Sequence, residues 1–269
     1  MTATEGGRSR RVYIWVAILL LSGIGFGWFY GSIFLRTKTN SPLIASLPVV
    51  VTQEPASPAF QMTPTESFKF EGEASLALWE QKVFKGHTDF AIKRDAQGSF
   101  LSTVSKDSSC GLFMKVRHEA SSDLYLRWRW RAHSFPRKKE PGRLSNRTAD
   151  DFAARVYVIF EASNLFRSDV IEYVWDESIA AGQVADSPYS ERIKLFVIRS
   201  GKSEDPEQWS TEARNPLEDY RKLFGKAPKH PVGIVALMCD SDNTGTEAAA
   251  DFADIEFGTE TQTAKSAGG

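Results

Sequence analysis

From Phe68 onward, the sequence consists of short runs of alternating, β-branched or aromatic residues, and clusters of turn-forming residues separate these runs. Most of the runs have the length of a β-strand, such as DLYLRWRWRAH, AARVYVIFEA, DVIEYVWDE and VGIVALMCD. Helical periodicity is scarce between them. The pattern therefore predicts a mainly β domain, an antiparallel β-sandwich of jelly-roll type, rather than an alternating α/β sheet.

One short helix interrupts the predicted strands, in the stretch RNPLEDYRKLFG. Asn215 is a suitable N-cap, Pro216 suits the first helical position, and Gly225 stands where a helix commonly ends. The stretch SLALWEQKVF offers a second helical turn ahead of the early strands. We therefore expect a β-sandwich with one or two short helices.

An uncharged apolar run covers residues 12–35, and about 20 such residues suffice to cross the hydrocarbon core of a membrane. Three arginines within residues 8–11 precede it, whereas one arginine and one lysine within residues 36–38 follow it. This bias predicts a single transmembrane anchor, a cytoplasmic tail at residues 1–11, and a main domain on the periplasmic or extracellular side. The alternative is a cleaved signal peptide, whose apolar core is typically only about 7–15 residues long.

The rest of the chain divides by composition into a linker, one domain and a tail. Prolines recur among Ser, Thr and Gln in residues 36–67, and this density blocks helices and sheets, so it predicts an extended linker. Residues 259–269 are small and polar, which predicts a disordered tail. A single folded domain over residues 68–258 remains between them, within the usual size range of domains.

Several motifs follow one another along this domain, namely WRWR, DDFAARVYV, RNPLEDYRKLFG and DSDNTG. In these motifs the sequence resembles a bacterial family of exported proteins of unknown function, and the resemblance covers residues 68–258. It implies a β-sandwich similar to carbohydrate-binding jelly rolls. It supplies no catalytic residues to carry over.

Alternation along two predicted strands places a group of side chains away from the core. In AARVYVIF, the apolar residues mark the core face, so Arg155 and Tyr157 point away from it. In VIEYVW, either Glu172 or Trp175 joins them, depending on which face packs inward. An open face of this kind predicts a shallow groove for a sugar chain, with ligand-binding residues Arg155, Tyr157, Glu172 and Trp175. The alternative is that the aromatic rings fill the core and the arginines form surface ion pairs.

The stretch CDSDNTGTE follows an apolar run and places oxygen-bearing side chains at alternate positions. When it is aligned with a calcium-binding loop, Asp240, Asp242 and Thr244 take the first ligand positions, and Asp251 takes the last. The pattern therefore predicts a structural calcium ion held by Asp240, Asp242, Thr244 and Asp251. A tight turn around Gly245 explains the same residues equally well.

The sequence contains no nucleophile motif around its histidines or around Cys110 and Cys239, so we expect a protein without catalytic activity. The net charge of -1 gives no reason to expect nucleic-acid binding. The chain is predicted to be a membrane-anchored, non-catalytic module that binds a glycan or another cell-envelope polymer. One alternative is a carbohydrate-active enzyme that uses paired carboxylates such as Glu172 and Asp240. The other is a structural envelope module that binds a protein partner.

Overall fold

The computed structural model describes residues 60–163 and 165–261 of the 269-residue chain. Within them, thirteen β-strands and two α-helices follow one another. These elements are β1 (Met62–Phe68), α1 (Glu73–Leu76), β2 (Glu80–Lys85), β3 (Thr88–Asp95), β4 (Gly98–Lys106), β5 (Ser109–His118), β6 (Leu124–Ser134), β7 (Ala154–Phe160), β8 (Asp169–Asp176), β9 (Val184–Ser187), β10 (Ser190–Ser200), β11 (Ser210–Arg214), α2 (Pro216–Phe224), β12 (Val232–Asp240) and β13 (Glu247–Glu260). Two short 3-10 helices lie at Arg147–Ala149 and Leu165–Arg167.

The strands form two sheets. In the six-stranded sheet the order is β11-β6-β13-β4-β3, and β1 pairs with the second half of the long strand β13. In the seven-stranded sheet the order is β2-β5-β12-β7-β8-β10-β9. The described strand pairs are antiparallel except for β8 and β10, which run parallel. The prediction of a mainly β, two-sheet fold with short helices is confirmed.

Large aromatic side chains fill the space between the two sheets. Trp128 and Trp130 both project inward from β6, because alternation puts them on the same face of the strand. They meet two rings of β8, with centroids 5.3 Å apart for Trp128 and Tyr173 and 5.7 Å apart for Trp130 and Trp175. Since each such ring buries roughly 150–250 Å² of surface, this layer contributes strongly to hydrophobic stabilisation.

The seven-stranded sheet is covered on its other face as well, where the long loop between β6 and β7 folds back over it. Leu144 and Phe152 of this loop form a buried cluster with Val174 of β8 and Leu195 of β10. As a result, every residue of β8 after Asp169 is buried. A strand that is covered on both faces shows no exposed side, whatever its sequence alternation suggests.

Helix α2 has the ends that the sequence predicts. The side chain of Asn215 accepts a hydrogen bond from the backbone N–H of Glu218 at 3.0 Å, and Gly225 ends the helix with a φ of 67°. Tyr220 anchors the helix in the core between the sheets. The second predicted helical turn is shorter than expected, because it ends at Leu76 and most of the following residues form β2.

The folded domain begins earlier than the composition predicts. All of strand β1 except Phe68 lies inside the predicted linker, and the strand pairs with β13 over residues 255–260. The pairing tolerates Pro64 because the register shifts between Pro64 and Glu66, where a proline cannot donate a backbone hydrogen bond. Strand β13 likewise continues to Glu260, inside the predicted tail.

The predicted membrane anchor at residues 12–35 lies outside the described residues. The same is true of the predicted cytoplasmic tail, of most of the linker and of residues 262–269. In the part of the chain that the structure describes, no helix is long and apolar enough to cross a membrane.

Candidate functional site

Three loops meet at one end of the sandwich. Strand β7 starts there, and its antiparallel neighbours β8 and β12 end beside it, as the pairing of Ala154 with Trp175 illustrates. The β6–β7 loop (residues 135–153), the β8–β9 loop (177–183) and the β12–β13 loop (241–246) therefore lie close together. Binding residues concentrate on loops that a rigid scaffold positions, so this end is a favourable location for a site.

A pocket of about 380 Å³ lies between the β6–β7 and β8–β9 loops, and we call it the loop pocket. Its volume falls within the roughly 300–1,000 Å³ of ordinary small-molecule sites. Apolar and charged side chains share its wall, which is lined by Phe135, Pro136, Arg137, Lys138, Pro141, Phe152, Ala153, Asp176, Glu177 and Ser178. Such a wall suits a ligand that has both apolar and polar surface.

Lys138 and Asp176 form one charged side of the loop pocket. Their Nζ and Oδ2 atoms are 2.6 Å apart, and the Lys138 ammonium also lies 3.8 Å from the centre of the Phe152 ring. Asp176 Oδ1 accepts hydrogen bonds from the backbone N–H groups of Ser178 and Ile179, each at 2.8 Å. Burial opposes the ionisation of Asp176, but Lys138 and these hydrogen bonds outweigh it and hold its pKa below the ordinary value. Asp176 is therefore a fixed carboxylate.

The four predicted ligand-binding residues are all buried, so the expectation of an open sheet face is wrong for them. Arg155, Tyr157 and Glu172 do point away from the core between the sheets, on the outer face of the seven-stranded sheet. Trp175 points the opposite way into that core, and its Nε1 donates to the Gly201 carbonyl at 2.8 Å. Of the two alternatives on β8, Glu172 is the one that shares a face with Arg155.

Arg155 is the centre of a buried ionic cluster. Its Nε and Nη2 atoms donate to the two oxygens of Asp240 at 3.0 and 2.6 Å, and its Nη1 donates to Glu172 Oε2 at 3.0 Å. Its Nη2 also donates to the backbone carbonyl of Asp150, and Asp240 Oδ1 accepts from the backbone N–H of Phe152 at 3.0 Å. These residues are at most 2% exposed, so the cluster binds the β6–β7 loop to the sheet and is closed to a ligand.

Three carboxyl groups of this cluster share the Arg155 guanidinium. Burial raises the pKa of Asp150 and of Glu172 to about 7, although Arg155 opposes both shifts. Burial also raises the pKa of Asp240, again against Arg155. One oxygen of Asp150 has no hydrogen-bond partner among the described residues. Near neutral pH, the cluster therefore keeps protons on part of its carboxyl groups, which limits its unpaired buried charge.

The predicted calcium ligands do not all come together. One carboxylate oxygen from each of Asp240, Asp242 and Asp151 lies within 4.8 Å of the others, so two predicted ligands are joined by a residue that was not predicted. The Thr244 hydroxyl instead donates to a backbone carbonyl at 3.2 Å. Asp251 lies on β13, where its Oδ2 accepts a hydrogen bond from an arginine of β6 at 2.8 Å. The loop thus departs from the calcium-loop pattern at two of four positions.

Hydrogen bonds hold the β12–β13 loop around Asp151. The two oxygens of Asp151 accept bonds from the backbone N–H groups of Asn243 at 3.1 Å and Thr244 at 2.7 Å. Asp240 faces Arg155, whose positive charge opposes a second cation at the same carboxylate. Sequence reasoning missed Asp151 because it precedes β7, and only the pairing of β7 with β12 brings it beside Asp240.

A second concave surface, which we call the edge groove, lies at the side of the sandwich. It is an open groove of about 450 Å³ lined by Glu73, Leu76, Ala77, Trp79, Gln81, His87, Thr88, Asp89, Phe90 and Leu112. Its largest ring belongs to Trp79, which is only 6% exposed and stacks on Phe70 with 5.6 Å between centroids. Most of that ring is therefore used in packing, which leaves the groove little aromatic surface for a ligand.

The three arginines of β6 form a ladder of ion pairs on the outer face of the six-stranded sheet. Each pairs with an acidic residue of the adjacent strand β13, namely Arg127 with Glu256, Arg129 with Asp254 and Arg131 with Asp251. Opposite charges on neighbouring strands stabilise a sheet. The ladder therefore gives these arginines a structural role.

These features define the chain as a β-sandwich domain with a loop-built pocket at one end. Residues 77–256 match the model of the family described as protein of unknown function DUF3047, and the chain belongs to this family. A comparison with curated proteins found no match.

Several solved structures are similar to the chain at low sequence identity. The family 11 carbohydrate-binding module of the cellulase Lic26A-Cel5E from Clostridium thermocellum has a TM-score of 0.35 and 11% identity, and the match covers 74% of this chain and 96% of that one. The xyloglucanase domain of NopAA, a type three effector from Sinorhizobium fredii, has a TM-score of 0.39 and 10% identity, with 68% and 93% covered. The mannan-recognising module TmCBM27 has a TM-score of 0.35 and 6% identity, with 75% and 99% covered. Similarity at this level does not decide what the chain binds.

Proposed function

We propose that the protein binds carbohydrate without catalysing a reaction, and that the sugar occupies the loop pocket. The observation that carries this proposal is the pocket wall, in which apolar side chains and hydrogen-bonding groups stand side by side. A sugar ring presents apolar C–H faces and a border of hydroxyl groups, so it needs both kinds of contact. Phe135, Pro136 and Pro141 supply the apolar part, and the exposed side chains of Arg137 and Glu177 supply donors and an acceptor.

The wall of the loop pocket is fixed by contacts within the protein. Phe135 packs edge-on against Trp175 with 6.3 Å between ring centroids. Lys138 uses one of its three N–H donors on Asp176, and the Ser178 hydroxyl donates to the same carboxylate at 3.1 Å. Groups that are held in place lose little entropy when a ligand binds, which favours affinity at a small site.

The buried carboxylates near the loop pocket are poorly suited to hydrolysis. Asp176 is kept ionised by Lys138, so it is not a proton donor for a leaving group. Glu172 and Asp240, the pair that the enzyme alternative would use, are bound to Arg155 and do not line the pocket. These contacts favour binding over cleavage of a sugar bond.

We further propose that residues 12–35 anchor the domain in a membrane, with the sandwich on the non-cytoplasmic side. The support is the length of the uncharged apolar run and the excess of arginine before it. The test is extraction of cell membranes with alkaline carbonate, followed by protease treatment of intact spheroplasts. The chain should stay with the membranes, and the domain should be digested from outside. Release by carbonate, or protection from the protease, would refute the anchor or its orientation.

The binding proposal is tested on a glycan array with the full chain, in a detergent that has no sugar headgroup. Two variants each add one large ring at an exposed lining residue, Pro141→Trp in the loop pocket and Gln81→Trp in the edge groove. We expect wild-type binding to be lost in Pro141→Trp and kept in Gln81→Trp. The opposite result would move the site to the edge groove. A folded wild type that binds no glycan would refute the function and favour a protein partner.

A further inference from the structure

The charges in the wall of the loop pocket are not all compensated. Four charged side chains line the pocket, and ion pairs account for three of them. Lys138 pairs with Asp176 at 2.6 Å, and Glu177 pairs with Lys202 at 2.8 Å. The fourth is Arg137, whose guanidinium makes no ion pair or hydrogen bond with any residue that the structure describes. The wall therefore carries one uncompensated positive charge.

The backbone of Arg137 is held in place while its side chain stays available. Its N–H donates to Thr246 Oγ1 at 3.1 Å, which connects this part of the β6–β7 loop to the β12–β13 loop. Lys139 beside it is exposed and forms no ion pair within the described residues, so it adds positive potential near the pocket. Farther along the same loop, Arg143 is already paired with Glu140 at 3.3 Å.

We infer that the sugar bound in the loop pocket carries a carboxylate, as a uronic acid does, and that Arg137 binds this carboxylate. The inference rests on the proposed carbohydrate-binding function. A guanidinium presents its N–H groups in a fork that matches the two oxygens of a carboxylate, and such charged hydrogen bonds are stronger than neutral ones. Asp176 and Glu177 do not repel such a ligand strongly, because a lysine neutralises each of them.

The experiment compares uronic-acid oligosaccharides with their carboxyl-reduced, neutral counterparts on one glycan array. The full chain is applied as wild type, Arg137→Gln and Arg143→Gln, and circular dichroism verifies that each variant is folded. Arg143→Gln is the matched control, because it removes the same charge from the same loop at a residue that does not line the pocket. A third variant, Arg137→Lys, keeps the charge and removes the fork.

We expect the wild type to prefer the acidic member of each pair. Arg137→Gln should weaken binding of the acidic member by roughly tenfold or more and leave the neutral member unchanged, with Arg137→Lys in between. Arg143→Gln should bind like the wild type. Equal binding of both members, or equal losses in both glutamine variants, would overturn the carboxylate inference while carbohydrate binding stands. No binding to any member of this array would overturn the carboxylate inference, whereas the carbohydrate-binding function is tested separately on the broader glycan array.

Discussion

Replacing Arg155 by methionine would remove the cation of the buried ionic cluster and keep a side chain of similar length. Asp240, Glu172 and Asp150 would then remain in a site that is at most 2% exposed. Removing one partner of a buried ion pair typically costs about 3–5 kcal/mol, because the remaining charge is uncompensated. Domains of this size have a free energy of unfolding of about 5–15 kcal/mol and lose about 2–4 °C of melting temperature per kcal/mol. We therefore expect the melting temperature to fall by about 6–20 °C at pH 8.

The loss should depend on pH, with a sign that follows from the raised pKa values. The folded-state pKa of Asp150 and Glu172 is about 7, above the ordinary values of 3.8 and 4.5. At pH values between the ordinary and the raised pKa, the folded state binds more protons than the unfolded state. Stability therefore falls as pH rises, by about 1.4 kcal/mol per pH unit for each excess proton. Without Arg155, ionisation of these groups is compensated even less. The variant should therefore lose the most stability, relative to the wild type, at pH 8 and the least at pH 5.

The assay is thermal and urea unfolding of the full chain in detergent, monitored by tryptophan fluorescence at pH 5 and pH 8. Arg143→Met is the matched control, since it removes an exposed arginine whose only ion pair, within the described residues, is with Glu140. Exposed pairs contribute only about 0–1 kcal/mol, so the control should stay close to the wild type. If Arg155→Met lowers the free energy of unfolding by less than about 1 kcal/mol, or by the same amount at both pH values, Arg155 does not compensate the buried carboxyl groups as described.

Three further outcomes follow from the same contacts. Wild-type stability should peak in mildly acidic solution. Asp176 and Asp251 have lowered pKa values, so their contribution to stability is lost as pH falls below the ordinary carboxyl value, whereas the buried cluster destabilises the fold as pH rises towards 7. A thermal melt series with its maximum above pH 8 would contradict this. Millimolar calcium should leave the melting temperature unchanged, because the carboxylates of Asp151 and Asp240, beside the β12–β13 loop, already accept hydrogen bonds from the protein. A rise of several degrees that Asp242→Asn abolishes would instead establish a metal site. Gly258→Ala should lower the free energy of unfolding by about 1–3 kcal/mol and weaken the pairing of β1, because the added Cβ would overlap the carbonyl oxygen of Thr63. Unchanged hydrogen exchange in β1 would contradict this and show that the strand adapts.

Alternation within single strands predicts which side chains share a face, and the structure agrees with it at β6 and β7. Trp128 and Trp130 lie together between the sheets, and Arg155 and Tyr157 lie together on the opposite side of β7 from the core. A period of two fixes these relations within one strand, without knowledge of its neighbours. The ends of α2 are predictable for a similar reason, since Asn215 caps the backbone three residues away.

What covers a face does not follow from the strand that carries it. Alternation predicts that Arg155 and Glu172 face solvent, but residues 150–152 of the β6–β7 loop lie over them. Asp151 joins Asp240 only because β7 and β12 are neighbours, and the order of strands is a property of the whole chain. The linker prediction fails at β1 for the same reason, because its pairing partner β13 is at the far end of the sequence.

The buried ionic cluster shapes the loop pocket although no ligand reaches it. Arg155 holds the carbonyl of Asp150 and Asp240 holds the N–H of Phe152, so the end of the β6–β7 loop is fixed to the sheet. Phe152 lines the pocket, and its ring contacts both Lys138 at 3.8 Å and Arg155 at 4.5 Å. The position of the pocket wall thus depends on the charge balance behind it. A rise in pH that ionises the cluster weakens the support of Phe152 as well as the fold. Under the proposed function, glycan affinity and stability should therefore decline over the same range of pH.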